Sequence, residues 1–228
     1  MISAIQNNQV SVELKEDTLT SSVFDHLLSL PDSLFWHIIK KSCYDNSMPD
    51  SIDCIESFEF WPHWDPDGTR NEKYVEPDLF IRFRHFDIII ESKRKDYNQQ
   101  NTEQWKREFK TYINEYGKDN RNVYLIALGG IIDKNEYQKI IDNYGNLTVV
   151  MCRWGNILDT LVKTLDNIEN CSVLNNQNII RNINMVIAAL EIHGYIKIRW
   201  LEELLSSWKN KITYNKNSEV MKNWGVTE

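Results

Sequence analysis

The run Ile88-Ile89-Ile90, inside FDIIIESKRK, constrains this chain's fold more than any other feature. Side chains alternate along a strand, so three consecutive β-branched apolar residues need cover on both faces. That environment is the centre of a sheet flanked by helices. Two similar runs follow in NVYLIALGG and LTVVMCRW. Between and after them the periodicity becomes helical. TEQWKREFKTYINEY places Trp105, Phe109, Tyr112, Ile113 and Tyr116 on helical spacings, and EYQKIIDNYG and ILDTLVKTLDNI read as further helices. Segments of this length suit the crossovers that parallel neighbours require.

Upstream, YVEPDLFIRFRH reads as a strand beginning near Tyr74, with Leu79, Ile81 and Phe83 on one face and Phe80, Arg82 and Arg84 on the other. Only a short turn at His85 separates it from the isoleucine run, so these two strands turn directly into each other. IESFEFWPHW supplies another strand with a turn at Pro62, and DPDGTRNEKY a loop. TSSVFDHLLSL forms a helix carrying Val23, Leu27, Leu28 and Leu30, capped by Thr20 or Ser21 and ended before Pro31; SLFWHIIKKSCY adds helical turns. The expected fold class is α/β, a mixed central sheet flanked by helices. Residues 1–170 form the core and 171–228 a helical extension, packed on that core or forming a partner interface. The extension begins with an Asn-rich exposed connection from Cys171 to Asn184 and is interrupted at Gly194.

The chemistry concentrates at Asp78, Glu91 and Lys93. Residues 91 and 93 share one face of a strand, while Ser92 points away. If the strand bearing Asp78 pairs alongside, a second carboxylate enters the same small volume. Two carboxylates that close repel unless a cation lies between them. Hard oxygen ligands suit Mg2+, with Mn2+ as a substitute, and such an ion activates water for phosphodiester hydrolysis. Lys93 would orient that water or set a point charge against the phosphate.

Pro77-Asp78 followed by Glu91-x-Lys93, in EPDLFIRFRHFDIIIESKR, resembles the paired-strand motif of the PD-(D/E)xK nuclease superfamily. The resemblance spans about residues 13 to 157 and implies a restriction-endonuclease-like fold. It implies that Asp78 and Glu91 bind metal and that Lys93 assists the nucleophile. Family members also carry an acidic residue near the helix before the sheet; Glu16 is the preferred match, with Glu13 and Asp25 as alternatives. Gln104 is similar to the glutamine of a Q-x-x-x-Y helix, although Glu108 stands at the tyrosine position and Tyr112 comes one turn later. The implied function is a divalent-metal-dependent DNA endonuclease in restriction or antiviral defence, acting as a homodimer or with a partner protein. RNA remains open as a substrate, and the alternative is a catalytically silent nuclease-like scaffold that binds nucleic acid or organises an assembly.

A formal net charge of -7 argues against a strong global attraction to nucleic acid. Local positive charge comes from Arg82, Arg84, Arg94, Lys95, Lys106, Arg107 and Lys110. His63 and His85 are candidates to approach the cleft, Trp61 and Trp64 to stack on substrate, and Trp200, Trp208 and Trp224 to contact a partner. Cys43, Cys54, Cys152 and Cys171 lack zinc-site or disulfide-framework spacing, so they read as buried thiols of a reducing cytosol. The N-terminal residues lack a secretory pattern, and no apolar stretch reaches the roughly 18 residues of a spanning helix, so a cytoplasmic protein with no membrane partner is expected. No nucleophile elbow, dinucleotide fingerprint or P-loop is present.

Overall fold

A computed structural model describes residues 13–131, 146–170 and 177–197. Two helices, α1 (Glu16–Leu27) and α2 (Asp32–Ser42), precede strands β1 (Ile55–Phe60), β2 (Leu79–Phe83) and β3 (Phe86–Ser92). Helix α3 (Thr102–Tyr116) leads through a short 3-10 turn into β4 (Asn122–Leu128). Strand β5 (Leu147–Cys152) and helices α4 (Trp154–Asn170) and α5 (Gln177–Ile192) follow. All belong to one compact unit that ends at Tyr195.

The five strands lie in sequence order across one sheet. The first three pair antiparallel, whereas β3, β4 and β5 pair parallel, giving the mixed sheet expected from the connection lengths. Strand β3 is buried along its whole length. Ile88 and Ile90 join Leu79, Ile81 and Phe83 in a core shared with α1, α2, α4 and α5. Ile89 joins Phe80 in a second core beneath α3, with Trp105, Phe109 and Tyr112. The isoleucine run is therefore covered on both faces, and Leu79 opposite Ile90 brings the start of β2 beside the end of β3.

Three boundaries differ from the sequence reading. Helix α1 begins at Glu16, not at a Thr20 or Ser21 cap. Thr18 accepts the Lys15 amide at 2.9 Å, while the Thr20 and Ser21 hydroxyls donate to carbonyls one turn back inside the helix. Strand β2 begins at Leu79, not near Tyr74. Pro77 has no N–H to donate, and Val75 pairs only with Trp64 as an isolated bridge. Much of the stretch read as an exposed Asn-rich connection is helix α5. Its Ile183, Val186, Ala189 and Leu190 are buried in the first core. A buried aliphatic side chain contributes roughly 1.5–3 kcal/mol, so this helix is part of the core's stability.

Gly194 adopts φ 93 just beyond α5, where a left-handed residue ends the helix. The helix expected over EYQKIIDNYG and the residues Cys171, Trp200, Trp208 and Trp224 lie outside the described residues. Among the described residues, no helix is long and apolar enough to cross a membrane.

Candidate metal centre

The start of β2 and the end of β3 meet beneath the first turn of α1 on one side and the N-terminal half of α3 on the other. Pro77 ends the preceding loop, and Asp78 follows immediately before the ladder begins. Its Oδ2 accepts both the main-chain N–H and the hydroxyl of Ser92, each at 2.7 Å. Burial, reinforced by the negative charge of Glu91, pushes the Asp78 carboxyl up to about 7 despite these hydrogen bonds.

Glu91 projects toward α3 and is 1% exposed. One of its oxygens accepts from the Lys93 ammonium and from Gln104 Nε2, the latter at 2.7 Å. Burial raises its carboxyl above the usual range, opposed by the charge of Lys93. Gln100 fixes the backbone here, donating to the carbonyls of Glu91 and Gly129 at 3.0 and 3.2 Å.

Because α1 starts at Glu16, that side chain occupies the helix's first turn and reaches the sheet. Its two oxygens accept from Lys93 Nζ and from the Arg94 main-chain N–H, both at 3.1 Å. The two alternatives are excluded by position: Glu13 is exposed and paired with Lys15, and Asp25 lies on the exposed face of α1. Lys93 donates to Glu91, Glu16 and the Ser92 carbonyl. Burial opposes its charge, but Glu91 and Glu16 outweigh that effect and hold the ammonium protonated above its ordinary range. Lys93 is thus a fixed cation and donor, not a base.

Glu16, Asp78 and Glu91 each offer an oxygen, and these oxygens lie within 4.8 Å of one another. Three carboxylates, two of them paired with one ammonium, form an all-oxygen donor set suited to a hard divalent cation. All five residues predicted for the site, Glu16, Asp78, Glu91, Lys93 and Gln104, come together.

Three further residues escaped the sequence reading. Ser92 does alternate away from Glu91, but its hydroxyl holds Asp78 and meets Thr20 Oγ1 at 2.6 Å, tying α1 to β3. Glu108 follows Gln104 by one helical turn. It is fully buried, its carboxyl faces that of Glu91, and burial, then the negative charge of Glu91, pushes it well above the usual carboxylate range. Its signal was an acid within the apolar stripe of Trp105, Phe109 and Tyr112.

Other expectations are corrected. His63 pairs with Glu76 and stacks on Tyr74 with ring centroids 3.8 Å apart. His85 pairs with Asp53 at the β2–β3 turn, the opposite end of β3 from Glu91. Arg82 and Arg84 also serve that far end, against Asp87, Asp119 and Asp53. Trp64 is core between Phe80 and Tyr112, whereas Trp61 stays beside the centre and donates its main-chain N–H to the Asp78 carbonyl at 3.2 Å. Lys106 pairs with Glu103 on the solvent side of α3. Arg94 and Lys95 are exposed immediately after Lys93. Cys152 is buried, and Cys43 and Cys54 are half-buried free thiols.

No protein-family model matches the chain. No solved structure matches it either. An uncharacterized protein of Pasteurella multocida (strain Pm70), PM0110, is 31% identical over 138 residues, covering 59% of this chain and 50% of the relative. The chain thus spans about half the length of that relative.

Proposed function

We propose that this protein is a divalent-metal-dependent DNA endonuclease with a centre built from Glu16, Asp78, Glu91 and Lys93. The observation that carries this reading is the convergence of three carboxylate oxygens within 4.8 Å, two of the three carboxylates paired with a single ammonium. Glu16, Asp78 and Glu91 would hold Mg2+, or Mn2+ in its place. When bound, that ion lowers the pKa of water and neutralises charge on a transferring phosphoryl group.

The chain's own groups have distinct tasks. Ser92 fixes the Asp78 carboxylate through two donors, and Gln104 fixes Glu91. Lys93, held protonated, presents positive charge toward the place where a phosphate gains negative charge. Arg94 and Lys95, exposed next to it, suit contacts to a nucleic-acid backbone; such contacts position a substrate without reading its bases. The overall charge of -7 fits an enzyme that acts as a homodimer or with a partner protein supplying further backbone contacts.

The test is cleavage of linear, circular and single-stranded DNA, with an RNA control, in Mg2+, Mn2+ and chelator. Asp78→Ala, Glu91→Ala and Lys93→Ala, each verified as folded, are expected to lower metal-dependent cleavage at least about 10³-fold, equivalent to roughly 4 kcal/mol of transition-state stabilisation. Gln104→Ala, which removes a support of a ligand, is expected to cost about 10- to 100-fold. Undiminished cleavage in the three folded alanine variants would sink the assignment. Preferential cleavage of RNA would change the substrate class and keep the centre.

A further inference from the structure

Two thiols meet at the β5 edge of the sheet, and the metal-dependent reading uses neither. Cys43, the residue that closes α2, faces Cys152, the last residue of β5, across an isolated antiparallel bridge. The ladder bond lies beside them: the Tyr44 main-chain N–H donates to the Met151 carbonyl at 3.0 Å. Cys43 and Cys152 are therefore a non-hydrogen-bonded pair, the kind whose opposed Cα atoms lie roughly 4.5 Å apart with their side chains drawn together. That separation falls inside the ~4.4–6.8 Å that a disulfide spans. The two side chains also turn toward each other, since one thiol hydrogen-bonds to the other.

The pair is unequal in access. Cys43 is half-buried, whereas Cys152 is 1% exposed, and its Sγ contacts the carbonyls of Ser42 and Arg153 at 3.5 and 3.6 Å. Burial, then the neighbouring Cys43 thiol, pushes the Cys152 thiol well above its usual range. A single buried cysteine is a small apolar residue and fills space as alanine or valine would. Two set face to face, one reachable and one shielded, match a thiol that reacts first and a partner that resolves it. Cys54 stands just before β1, at the opposite edge of the sheet, and serves as an internal control.

We propose that Cys43 and Cys152 form a modification site, at which hydrogen peroxide makes an intramolecular disulfide that a dithiol reduces back. The Cys43 sulfur attacks one peroxide oxygen and the O–O bond breaks. The thiol's proton leaves with the departing hydroxide as water, and Cys43 becomes a sulfenic acid. The Cys152 sulfur then attacks Cys43, the S–O bond breaks, and the second hydroxide leaves with the Cys152 proton. The two sulfurs lose two electrons in all and the peroxide gains them. The link joins residues roughly 110 positions apart, so it removes much of the freedom of the unfolded chain and staples the end of α2 to β5. In a reducing compartment such a link is transient and reports oxidant. It stands apart from the metal-dependent reading and does not need it.

The experiment treats the reduced full chain with hydrogen peroxide in chelator, then reads intact mass, cysteine-linked peptides and Tm, before and after dithiothreitol. Wild type is expected to lose two hydrogen atoms, to yield Cys43 linked to Cys152, and to gain about 5–10 °C in Tm, all reversed by dithiothreitol. Cys54→Ser should behave as wild type, and Cys43→Ser should form no link to Cys152. In Cys152→Ala, Cys43 should stop at the sulfenic acid and be trapped by dimedone. The wild-type peptide map decides the matter even where a variant fails to fold. Thiols that stay reduced, oxygen added without a link, or Cys43 linked to any other cysteine overturns the proposal. So does a Cys43–Cys152 link that does not raise Tm, because the reduced geometry then does not accommodate the bond.

Discussion

Strand β3 carries a buried acid at each end, and the fold treats the two in opposite ways. Asp87, at its start, accepts from Arg82 Nε and Nη2 at 3.3 Å and from the Tyr112 hydroxyl at 2.8 Å, with Arg121 at 3.6 Å. Arg82 is in turn tied to Asp119, and Arg121 donates to the Phe83 carbonyl. Two guanidinium groups therefore surround one buried carboxylate. Glu91, at the strand's end, shares one ammonium with Glu16 and faces Asp78 and Glu108 besides. Same strand, same degree of burial, opposite balance: the saturated cluster holds the sheet to α3, and the unsaturated one has room for added positive charge.

The largest expected effect tests the saturated end. Asp87→Ala leaves two guanidinium groups without their buried partner and is expected to cost about 3–5 kcal/mol of stability, measured by urea unfolding. Its Mn2+ affinity should stay at the wild-type value. A stable Asp87→Ala variant that no longer binds Mn2+ would break the comparison.

The next effect belongs to the unsaturated end and appears as pH dependence in the metal-free protein. With its carboxyl at about 7 in the fold against an ordinary 3.8, Asp78 keeps a proton between those values that the unfolded chain has released. Its contribution to stability is therefore full below about 4 and is lost as pH rises toward 7, with a slope of up to about 1.4 kcal/mol per pH unit. Asp78→Asn retains an acceptor for Ser92 and should flatten that decline, which unfolding curves in chelator at stepped pH would read. Parallel wild-type and variant profiles would mean that Asp78 is not under charge strain.

How much of this was legible before folding depended on the range of the signal. Ile88-Ile89-Ile90 announced a doubly covered strand because pleat and burial are local, and the alternation of Leu79, Ile81 and Phe83 against Phe80 appears as written in the two cores. Asp78, Glu91 and Lys93 were legible for the same reason: a direct turn between two strands dictates which ends meet. Thr20 and Ser92, which touch at 2.6 Å, are 72 residues apart, and nothing local links them. Arg82 and Arg84 seemed close to the centre in sequence, yet a strand's length separates its two ends, and their acidic partners come from Asp53, Asp87 and Asp119. Glu108 was visible as an acid in an apolar stripe, but a helical glutamate is ordinarily solvated. Only the fold shows that this one has nowhere to go but toward Glu91.

The smallest effect is the most discriminating, because it compares two single hydroxyls at opposite ends of β3. The Ser92 hydroxyl donates to Asp78, and the Thr20 hydroxyl, 2.6 Å from it, shares its one proton between Ser92 and the Glu16 carbonyl. Thr20→Val removes that donor, and Tyr112→Phe removes the hydroxyl that Asp87 accepts. Thr20→Val should lower stability by about 1 kcal/mol, the net value of one neutral hydrogen bond, and Tyr112→Phe by about 1.5–3 kcal/mol, because its acceptor is a carboxylate. Only Thr20→Val should also weaken Mn2+ binding, by about tenfold, because Thr20 lies one turn from Glu16 and supports Asp78 through Ser92. Calorimetric titration of both variants separates the ends of β3 without disturbing a charge. Equal Mn2+ affinities would mean that the links between α1 and β3 stabilise the fold without tuning the centre.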